Sequence, residues 1–363
     1  MILFASGKLV AQDLVEWRGL NRTGIYSDQN LLKSWPENGP QLLLELKDIG
    51  KGYSSPLIYK NTIFVTGLKD TLDVISAYEM NGQKKWETPY GHGWANSFPE
   101  TRCTPTIENN RIYLVSGMGQ VACVDAISGK LIWRVDANTD YKGEPHRWGI
   151  AESLAISDKA VFYVTGGEET SVIALDKSNG KLIWKTKSLG GTRAYASSVI
   201  IEKAGLKLLL AQTANDLMAV NIDNGEIIWR FNLIQYHTGE SGKGGNTNTP
   251  LFYNNEIFVT SGYDHPAIML SLAADGHSVT LKWTNPDFDN HMGGVVKVGD
   301  YIFGSNWQNN SKGNWMCIDW NTGKTMYETT WFNKGPIISA DGLLYCQEEK
   351  SGNLALVKPV SEK

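Results

Sequence analysis

The chain has 363 residues, of which 42% are hydrophobic and 20% charged, so its composition excludes a largely disordered protein. Its 34 Lys and Arg residues against 38 Asp and Glu give a formal net charge of −4, which leaves no basic excess for binding nucleic acid. No stretch approaches the ~20 apolar residues that a membrane-spanning helix needs. The counts of 37 Gly, 13 Trp and 15 Tyr favour a repeated β unit packed by aromatic side chains.

The N-terminal residues 1–15 are apolar at first but are interrupted by Lys8, and the apolar run is too short for a complete signal peptide. We interpret residues 1–15 as a signal remnant or a disordered segment, and residues 16–363 as one domain. The first strand candidate after this segment is 41–47, which has no obvious hairpin partner beside it in the sequence.

A repeat dominates the rest of the chain. Residues 121–133 recur as 172–184 and again as 217–229, and weaker copies end at Trp86, Trp283 and Tyr327. Successive copies end 44 to 54 residues apart, which is the period of one four-stranded propeller blade. The residues that we assign to this structural motif are Gly82, Trp86, Asp125, Gly129, Trp133, Asp176, Gly180, Trp184, Gly225, Trp229, Trp283 and Gly323.

Each copy is typical of a hairpin in which Gly supplies a positive φ before the closing strand. A second hairpin precedes each copy, so each period predicts four antiparallel strands. The first strands are expected to begin near Ser54, Cys103, Glu152, Ser197, Asn248, Gly293 and Gly335. The sequence therefore predicts an all-β, seven-bladed β-propeller, with eight blades as the alternative because the loops between blades vary in length. The last copy lacks a fourth strand, and we expect the N-terminal strand candidate 41–47 to close the ring as its outer strand.

The repeat resembles the tryptophan-docking motif of the PQQ-like (quinoprotein-type) β-propeller family, in which it is similar to BamB-like members. Residues 174–184 match the pattern Ala-x-Asp-x-x-x-Gly-Lys-x-x-Trp at every motif position, and the run 17–24 resembles the opening of family members. The resemblance implies an extracytoplasmic bacterial setting, either periplasmic or secreted. It says little about activity, because the motif residues are expected to pack blades together.

Quinoprotein dehydrogenases of this family use PQQ with calcium, a vicinal disulfide and an Asp base. Here Cys103, Cys123, Cys317 and Cys346 include no adjacent pair, and no calcium ligands can be matched. We therefore disfavour PQQ with calcium as a cofactor, expect no metal site, and interpret the four cysteines as buried free thiols. The acidic stretch 287–291 is interpreted as a solvated turn, because it lacks the glycine and distal Glu of a calcium loop.

The loops between blades hold most of the candidate binding residues, although no catalytic residue can be assigned. The ring geometry is expected to gather Arg102, His146, Arg147, Trp148, Arg193, His237 and His291 near the axis. We expect an open pocket there with His146 and Arg147 at its core, and Glu100, Glu144 and Glu152 as candidate ion-pair partners.

Two classes of function remain open. The favoured one is a non-enzymatic binding or scaffold propeller with a protein partner. The alternative is an enzyme or a binder of a small polar, anionic or sugar-like ligand. A deep pocket would favour the ligand, whereas a shallow surface rimmed by apolar side chains would favour the protein partner.

Overall fold

The computed structural model describes residues 14–239 and 244–362. Within these residues, 28 strands form seven separate four-stranded sheets, which we number as blades 1 to 7 in the order of their hairpins along the chain. The predicted seven-bladed, all-β architecture is confirmed. Three short helices, Leu20–Arg22, Ala137–Asp140 and Ile234–Tyr236, lie outside the sheets.

The strands of the first six blades follow one another in the chain without crossovers. The strands are Leu57–Tyr59, Thr62–Lys69, Leu72–Glu79 and Lys84–His92 in blade 1; Thr106–Glu108, Arg111–Val115, Gln120–Asp125 and Leu131–Asp136 in blade 2; Ala155–Ile156, Ala160–Val164, Val172–Asp176 and Leu182–Lys185 in blade 3; Val199–Lys203, Leu206–Gln212, Asp216–Asn221 and Ile227–Asn232 in blade 4; Leu251–Tyr253, Glu256–Ser261, His265–Leu272 and Val279–Asn285 in blade 5; and Val296–Val298, Tyr301–Ser305, Trp315–Asp319 and Thr325–Thr329 in blade 6.

Blade 7 is completed in a different way from the one that the sequence predicted. Its hairpin strands are Ile337–Ala340, Leu343–Gln347 and Leu354–Val357, and its fourth strand is Ile25–Tyr26, which pairs in parallel with the first of them. An N-terminal strand does complete the seventh sheet, but it joins the inner edge and not the outer one. The predicted outer strand 41–47 forms no strand.

The segment 35–46 nevertheless contacts both ends of the ring, blade 1 through Leu44 and Leu46 and blade 7 through Trp35. Leu44 and Leu46 lie against the apolar side chains of blade 1, and a Cβ added to Gly82 would lie only 2.9 Å from Cδ1 of Leu44. At the edge of blade 7, the indole Nε1 of Trp35 donates a hydrogen bond of 2.8 Å to the carbonyl of Leu354. Side-chain contacts thus replace a hydrogen-bonded strand at this seam.

Residues 14–26, which we call the axial segment, reach the inner strands of blades on several sides of the ring. Val15 exchanges two main-chain hydrogen bonds of 2.8 Å with Ile107 of blade 2. The buried guanidinium of Arg18 donates to the carbonyls of Val295 (2.7 Å) and Ile337 (3.0 Å), at blades 6 and 7. One short segment can touch blades so far apart in the ring only near its axis, so the axial segment lies in the central channel.

Most repeat tryptophans pack against the glycine of the next blade. Trp86, Trp133, Trp184 and Trp283 lie over Gly129, Gly180, Gly225 and Gly323, respectively. Each of these four indoles donates a hydrogen bond of 2.9 to 3.1 Å to a carbonyl of that neighbouring blade. Trp229 is also buried, but its Nε1 has no hydrogen-bond partner among the described residues. At Gly276, in the irregular copy, an added Cβ would meet Lys203 and Leu206.

The turns before Gly129, Gly180 and Gly323 are held by the motif aspartate, and the turn before Gly225 is held by Asn221 in its place. Oδ1 of Asp125 accepts hydrogen bonds from the main-chain N–H groups of Ile127 (3.2 Å) and Ser128 (2.9 Å), and Asp176 accepts one of 2.8 Å from Ser178. All four cysteines are buried and unpaired. In the described part of the chain, no helix has the length and apolar character needed to cross a membrane.

Candidate functional site

The connections between blades open on the same face as the loops between second and third strands, because consecutive strands alternate in direction. We call this the loop face, and the opposite face, which carries the tight hairpin turns, the turn face. All seven candidate binding residues predicted from the sequence belong to interblade connections, and they therefore lie on the loop face or just beneath it.

Arg193 does not face an open pocket. Its guanidinium is fully buried and forms an ion pair of 2.6 Å with the equally buried carboxylate of Glu152, while its Cζ lies 4.8 Å from the ring centroid of Tyr163. Burial opposes the charge of the guanidinium, but its interactions with Tyr163 and with Glu152 keep the pKa of Arg193 raised. Glu152 also accepts a hydrogen bond from the N–H of Val164. The pair binds successive blades together and is part of the architecture.

The other two arginines of the set lie nearer to solvent. Arg102 donates to the carbonyls of Ser97 (3.1 Å) and Phe98 within its own loop, and lies 5.8 Å from the ring of Tyr195. Arg147 is exposed, and its guanidinium lies 4.6 Å from the ring centroid of Trp148, with no carboxylate within ion-pair distance among the described residues. Of the three arginines, Arg147 is the exposed one, so its charge is the most accessible to a binding partner.

An aromatic row crosses the axis on this face. Trp148, from the connection between blades 2 and 3, packs against the ring of His146 (4.6 Å) and stacks on Tyr263 of blade 5 (5.2 Å). Tyr263 in turn contacts His291 (4.7 Å) and Trp307 (5.2 Å), at blade 6. We call these five residues the axial aromatic row. Because it joins blades on opposite sides of the ring, it covers the loop-face end of the channel.

The histidines of this row are kept neutral by their surroundings. Burial, and secondarily the charge of Arg147, lowers the pKa of His146 to about 4. Burial, with a smaller contribution from Lys334, lowers the pKa of His291 to about 3. At neutral pH both rings are uncharged, so His146 and His291 add no positive charge for an anionic ligand.

His237 lies apart from the axial aromatic row. Its Nε2 is 3.1 Å from Oδ1 of Asn246, and its ring centroid is 4.5 Å from that of His265. Burial, followed by the nearby His237, lowers the pKa of His265 to about 3. The structure thus brings together His146, Arg147, Trp148 and His291, whereas Arg193 and His237 take part in separate buried contacts.

Two members of the row, Tyr263 and Trp307, were not among the predicted residues. Both lie in loops between the second and third strands, and the alternation of strand direction would have placed those loops on the same face. The interpretation of 287–291 as a solvated turn is wrong for Asp289, which is buried. Burial raises the pKa of Asp289 to about 7, although its Oδ1 accepts a hydrogen bond of 3.0 Å from the N–H of Trp307.

Two depressions of the described surface do not include the expected pocket around His146 and Arg147. One depression, of about 440 Å³, lies on the turn face beside Asn21, and the other, of about 280 Å³, lies beside Met118 and Pro145. Neither is lined by any of the seven predicted binding residues.

The prediction that PQQ with calcium is disfavoured as a cofactor rests on the cysteines and on the absence of matching calcium ligands. The four cysteines are buried in separate strands or connections of the ring, so none is placed to form a vicinal disulfide. Within residues 14–239 and 244–362, no three His, Cys, Asp or Glu side chains are grouped so that they could hold a metal ion.

The fold and this face define a seven-bladed, PQQ-like propeller whose channel is covered at the loop face by aromatic side chains. The family model described as "Outer membrane protein assembly factor BamB" matches residues 72–329, and the chain belongs to that family.

Curated relatives align over parts of the chain. The quinoprotein alcohol dehydrogenase PedH of Pseudomonas putida is 27% identical over 163 residues, which cover 42% of this chain and 27% of the relative. BamB of Yersinia pestis is 27% identical over 153 residues, which cover 41% of this chain and 36% of the relative. The chain thus spans only about a quarter to a third of the length of these relatives.

Solved structures support the fold. BamB from Moraxella catarrhalis superposes with a TM-score of 0.59 at 12% identity, covering 88% of this chain and 91% of that one. The computationally designed Ika8 protein gives a TM-score of 0.53 at 11% identity, covering 86% and 98%. At these identities the likeness concerns the propeller architecture alone.

Proposed function

We propose that this protein is a non-catalytic binding propeller that acts outside the bacterial cytoplasm and docks a protein partner on its loop face. The observation that carries the proposal is the exposure of large apolar side chains around the axial aromatic row. Tyr53, Phe98, Met292 and Phe332 are 66%, 65%, 52% and 67% exposed. Aromatic residues, Met and Arg are the residue types enriched at protein interfaces.

The electrostatics of this face support a protein partner over a small anion. Arg193 is neutralised by Glu152, and His146 and His291 are uncharged at neutral pH. Arg147 is left exposed on top of Trp148, an arrangement in which the ring limits the freedom of the guanidinium. Such a pair suits the centre of an interface, where Trp and Arg commonly dominate the binding energy.

The family membership supports the same proposal. The matching model is described as an outer membrane protein assembly factor, and a relative with that name is found in Yersinia pestis. Assembly of one protein by another requires a docking surface, which the loop face offers. Placement outside the cytoplasm and a partner in outer membrane protein assembly are parts of the proposal for this chain.

Site-specific photo-crosslinking in the periplasm of a Gram-negative bacterium tests the proposal. A photoreactive amino acid replaces Phe98 or Phe332 on the loop face, and replaces Ile127, which is 68% exposed on the turn face, as a matched control. We expect both loop-face positions to capture the same protein, and Arg147→Glu to reduce that capture at least fivefold. Equal capture from Ile127, or none from either loop-face position, would contradict docking on this face.

A small polar ligand beneath the row is the second candidate function. The observation that favours it is that Nδ1 of His146 and both ring nitrogens of His291 are buried without a hydrogen-bond partner among the described residues. Buried nitrogens of this kind are commonly satisfied by water or by a ligand. A thermal-shift screen with sugars, anions and PQQ with calcium separates the two candidates, because a ligand bound to the native state raises Tm. A Tm increase that His291→Phe abolishes would favour the ligand.

A further inference from the structure

The inner edge of each blade carries main-chain groups that its own sheet cannot pair. In a hairpin with a two-residue turn, the two residues that flank the turn exchange hydrogen bonds with each other. The residue just before the flanking one in the first strand therefore directs its N–H and C=O away from the hairpin. Two blades show where these groups point. Ile107 of blade 2 exchanges both hydrogen bonds with Val15, and the N–H of Ser339 in blade 7 donates to the carbonyl of Gly24 at 2.8 Å.

Blade 4 has the longest first strand. Among the described residues, no segment forms main-chain hydrogen bonds with the inner edge of that strand. Val199–Lys203 pairs with Leu206–Gln212 through a turn that Lys203 and Leu206 flank. The alternation therefore directs the N–H and C=O groups of Ile200 and Glu202 towards the axis. In the described part of the chain, neither residue makes a main-chain hydrogen bond to another segment. The two residues lie about 6.6 Å apart along the strand, the repeat of an extended peptide.

These groups face the larger of the two depressions. This depression of about 440 Å³, which we call the crescent groove, is lined by the inner strands of blades 3, 4 and 5, including Ile156, Ile200, Glu202 and Phe252. Asn21 forms its wall on the side of the axial segment. The axial segment pairs with blades 2 and 7, and its turn 20–22 lies beside the first strand of blade 4. The crescent groove opens between that turn and the inner strands of blades 3 to 5.

We propose that the crescent groove binds an extended peptide of a partner protein, which adds as a strand to the main-chain groups of Ile200 and Glu202. The axial segment already uses this mode on blades 2 and 7 of the same ring. Free edge groups with neighbouring apolar side chains are the features that strand addition requires. Ile156 and Phe252 supply the apolar neighbours on the flanking blades.

The charges at the groove define the peptide further. Asp158 and Glu202 line the groove without ion-pair partners among the described residues, against a single cation, Lys207. A peptide that alternates apolar residues with Lys or Arg therefore complements the groove better than an acidic one. This site lies on the turn face, so it is independent of the docking proposed for the loop face.

The probe for this proposal is the fluorescently labelled peptide acetyl-Val-Lys-Val-Lys-Val-amide, titrated into the full chain and followed by fluorescence anisotropy. The same peptide with methylated main-chain nitrogens is the control ligand, because it cannot donate the ladder hydrogen bonds. We expect saturable binding of the first peptide and at least tenfold weaker binding of the second. Equal binding of both, or no binding of the first, would overturn the proposal.

Two variants locate the site. Glu202→Pro removes the N–H that points into the groove and leaves the hydrogen bonds to Leu206–Gln212 in place, since proline is tolerated at a strand edge. Ile58→Pro makes the same change at the corresponding position of blade 1, which does not line the groove. We expect Glu202→Pro to weaken binding at least tenfold and Ile58→Pro to change it less than twofold. Similar effects of the two variants would refute the assignment.

Charge reversal keeps the test valid if the proline variant does not fold. Glu202→Lys leaves the main chain unchanged and should shift the preference at least threefold from the Lys-containing peptide towards acetyl-Val-Glu-Val-Glu-Val-amide. An unchanged preference would overturn the proposed contact. Sedimentation of the protein without peptide tests whether a second copy of the chain occupies the groove instead. Self-association that Glu202→Lys abolishes would assign the groove to a second copy and refute the proposal of a bound peptide.

Discussion

Replacing Trp184 with Ala tests the packing between blades at one well-defined contact. The indole is 9% exposed, lies over Gly225 and donates a hydrogen bond of 2.9 Å to the carbonyl of Ile222. A buried aromatic side chain removes ~200 Å² from water, worth about 5 kcal/mol at ~25 cal/mol per Å². Measured losses for buried Trp or Phe replaced by Ala are about 3–5 kcal/mol, so we expect the free energy of unfolding to fall by about 4 kcal/mol.

The partner glycine makes this prediction sharper. Gly225 has a φ of +76°, and an added Cβ would lie 2.6 Å from Cε3 of Trp184. Gly225→Ala should therefore be destabilising, both through the left-handed backbone, which costs about 1–2 kcal/mol, and through the clash with the indole. Removing the indole relieves the clash, so the double variant should be more stable than the sum of the single changes predicts, by about 1 kcal/mol or more.

Urea denaturation of the four proteins, followed by tryptophan fluorescence and far-UV circular dichroism, measures this cycle. Trp184→Phe is a matched control that keeps an aromatic ring and loses the hydrogen bond to Ile222; it should cost clearly less than Trp184→Ala. A loss below about 1.5 kcal/mol for Trp184→Ala, or strictly additive changes in the cycle, would refute the assigned contact between blades 3 and 4.

Three further predictions concern buried ionisable side chains. Arg18→Ala removes hydrogen bonds to carbonyls at blades 6 and 7 and should lower the free energy of unfolding by about 3 kcal/mol, and Arg18→Lys should not restore that stability. Urea denaturation of both variants measures the loss. A loss under about 1 kcal/mol for Arg18→Ala would contradict the anchoring role. Arg193→Ala leaves the carboxylate of Glu152 buried without its partner and should lower the free energy of unfolding by about 3–5 kcal/mol. The double variant Arg193→Met with Glu152→Leu should recover most of that loss in urea denaturation. A double variant as unstable as Arg193→Ala would contradict the pairing. Because the pKa of His291 is lowered to about 3 in the folded protein, its contribution to stability is present above pH ~6.5 and is lost as the pH falls towards 3, by about 2 kcal/mol between pH 7 and 5. His291→Gln should remove that part of the acid sensitivity. Asp289→Asn should increase the sensitivity, because the pKa of Asp289 is raised to about 7 and its protonation favours the folded state as the pH falls. Parallel curves of stability against pH for wild type and His291→Gln would contradict the assignment.

The sequence predicted the repeating part of the fold well, because each blade is built from local hairpins. The predicted starts near Cys103 and Gly293 precede the observed first strands Thr106–Glu108 and Val296–Val298 by three residues. The closure was harder to predict, because blade 7 offers two edges and local sequence does not distinguish between them. Ile25–Tyr26 takes the inner edge, where the axial segment also makes its contacts with blades 2 and 6.

The candidate site was predicted only in part. The repeat predicts that the interblade connections share one face. In the structure, rings from two of these connections, those of His146 and Trp148 and that of His291, belong to one aromatic row. The role of Arg193 depends on Glu152, which lies 41 residues away in the sequence and could be named only as one of three candidate partners. The filling of the axis by Trp148 and Tyr263 depends on side-chain directions across the ring, which no periodicity in the sequence records.

Hydrogen–deuterium exchange of this protein with and without the partner captured at Phe98 and Phe332 tests the docking surface most directly. The account predicts at least fivefold slower exchange in the loop-face connections 94–102, 146–150 and 330–334, and unchanged exchange in the turn-face hairpin around Ile127. It also predicts that Arg147→Glu removes the protection. Protection centred on the turn face, or protection of the loop face that Arg147→Glu leaves intact, would contradict a partner seated on the axial aromatic row.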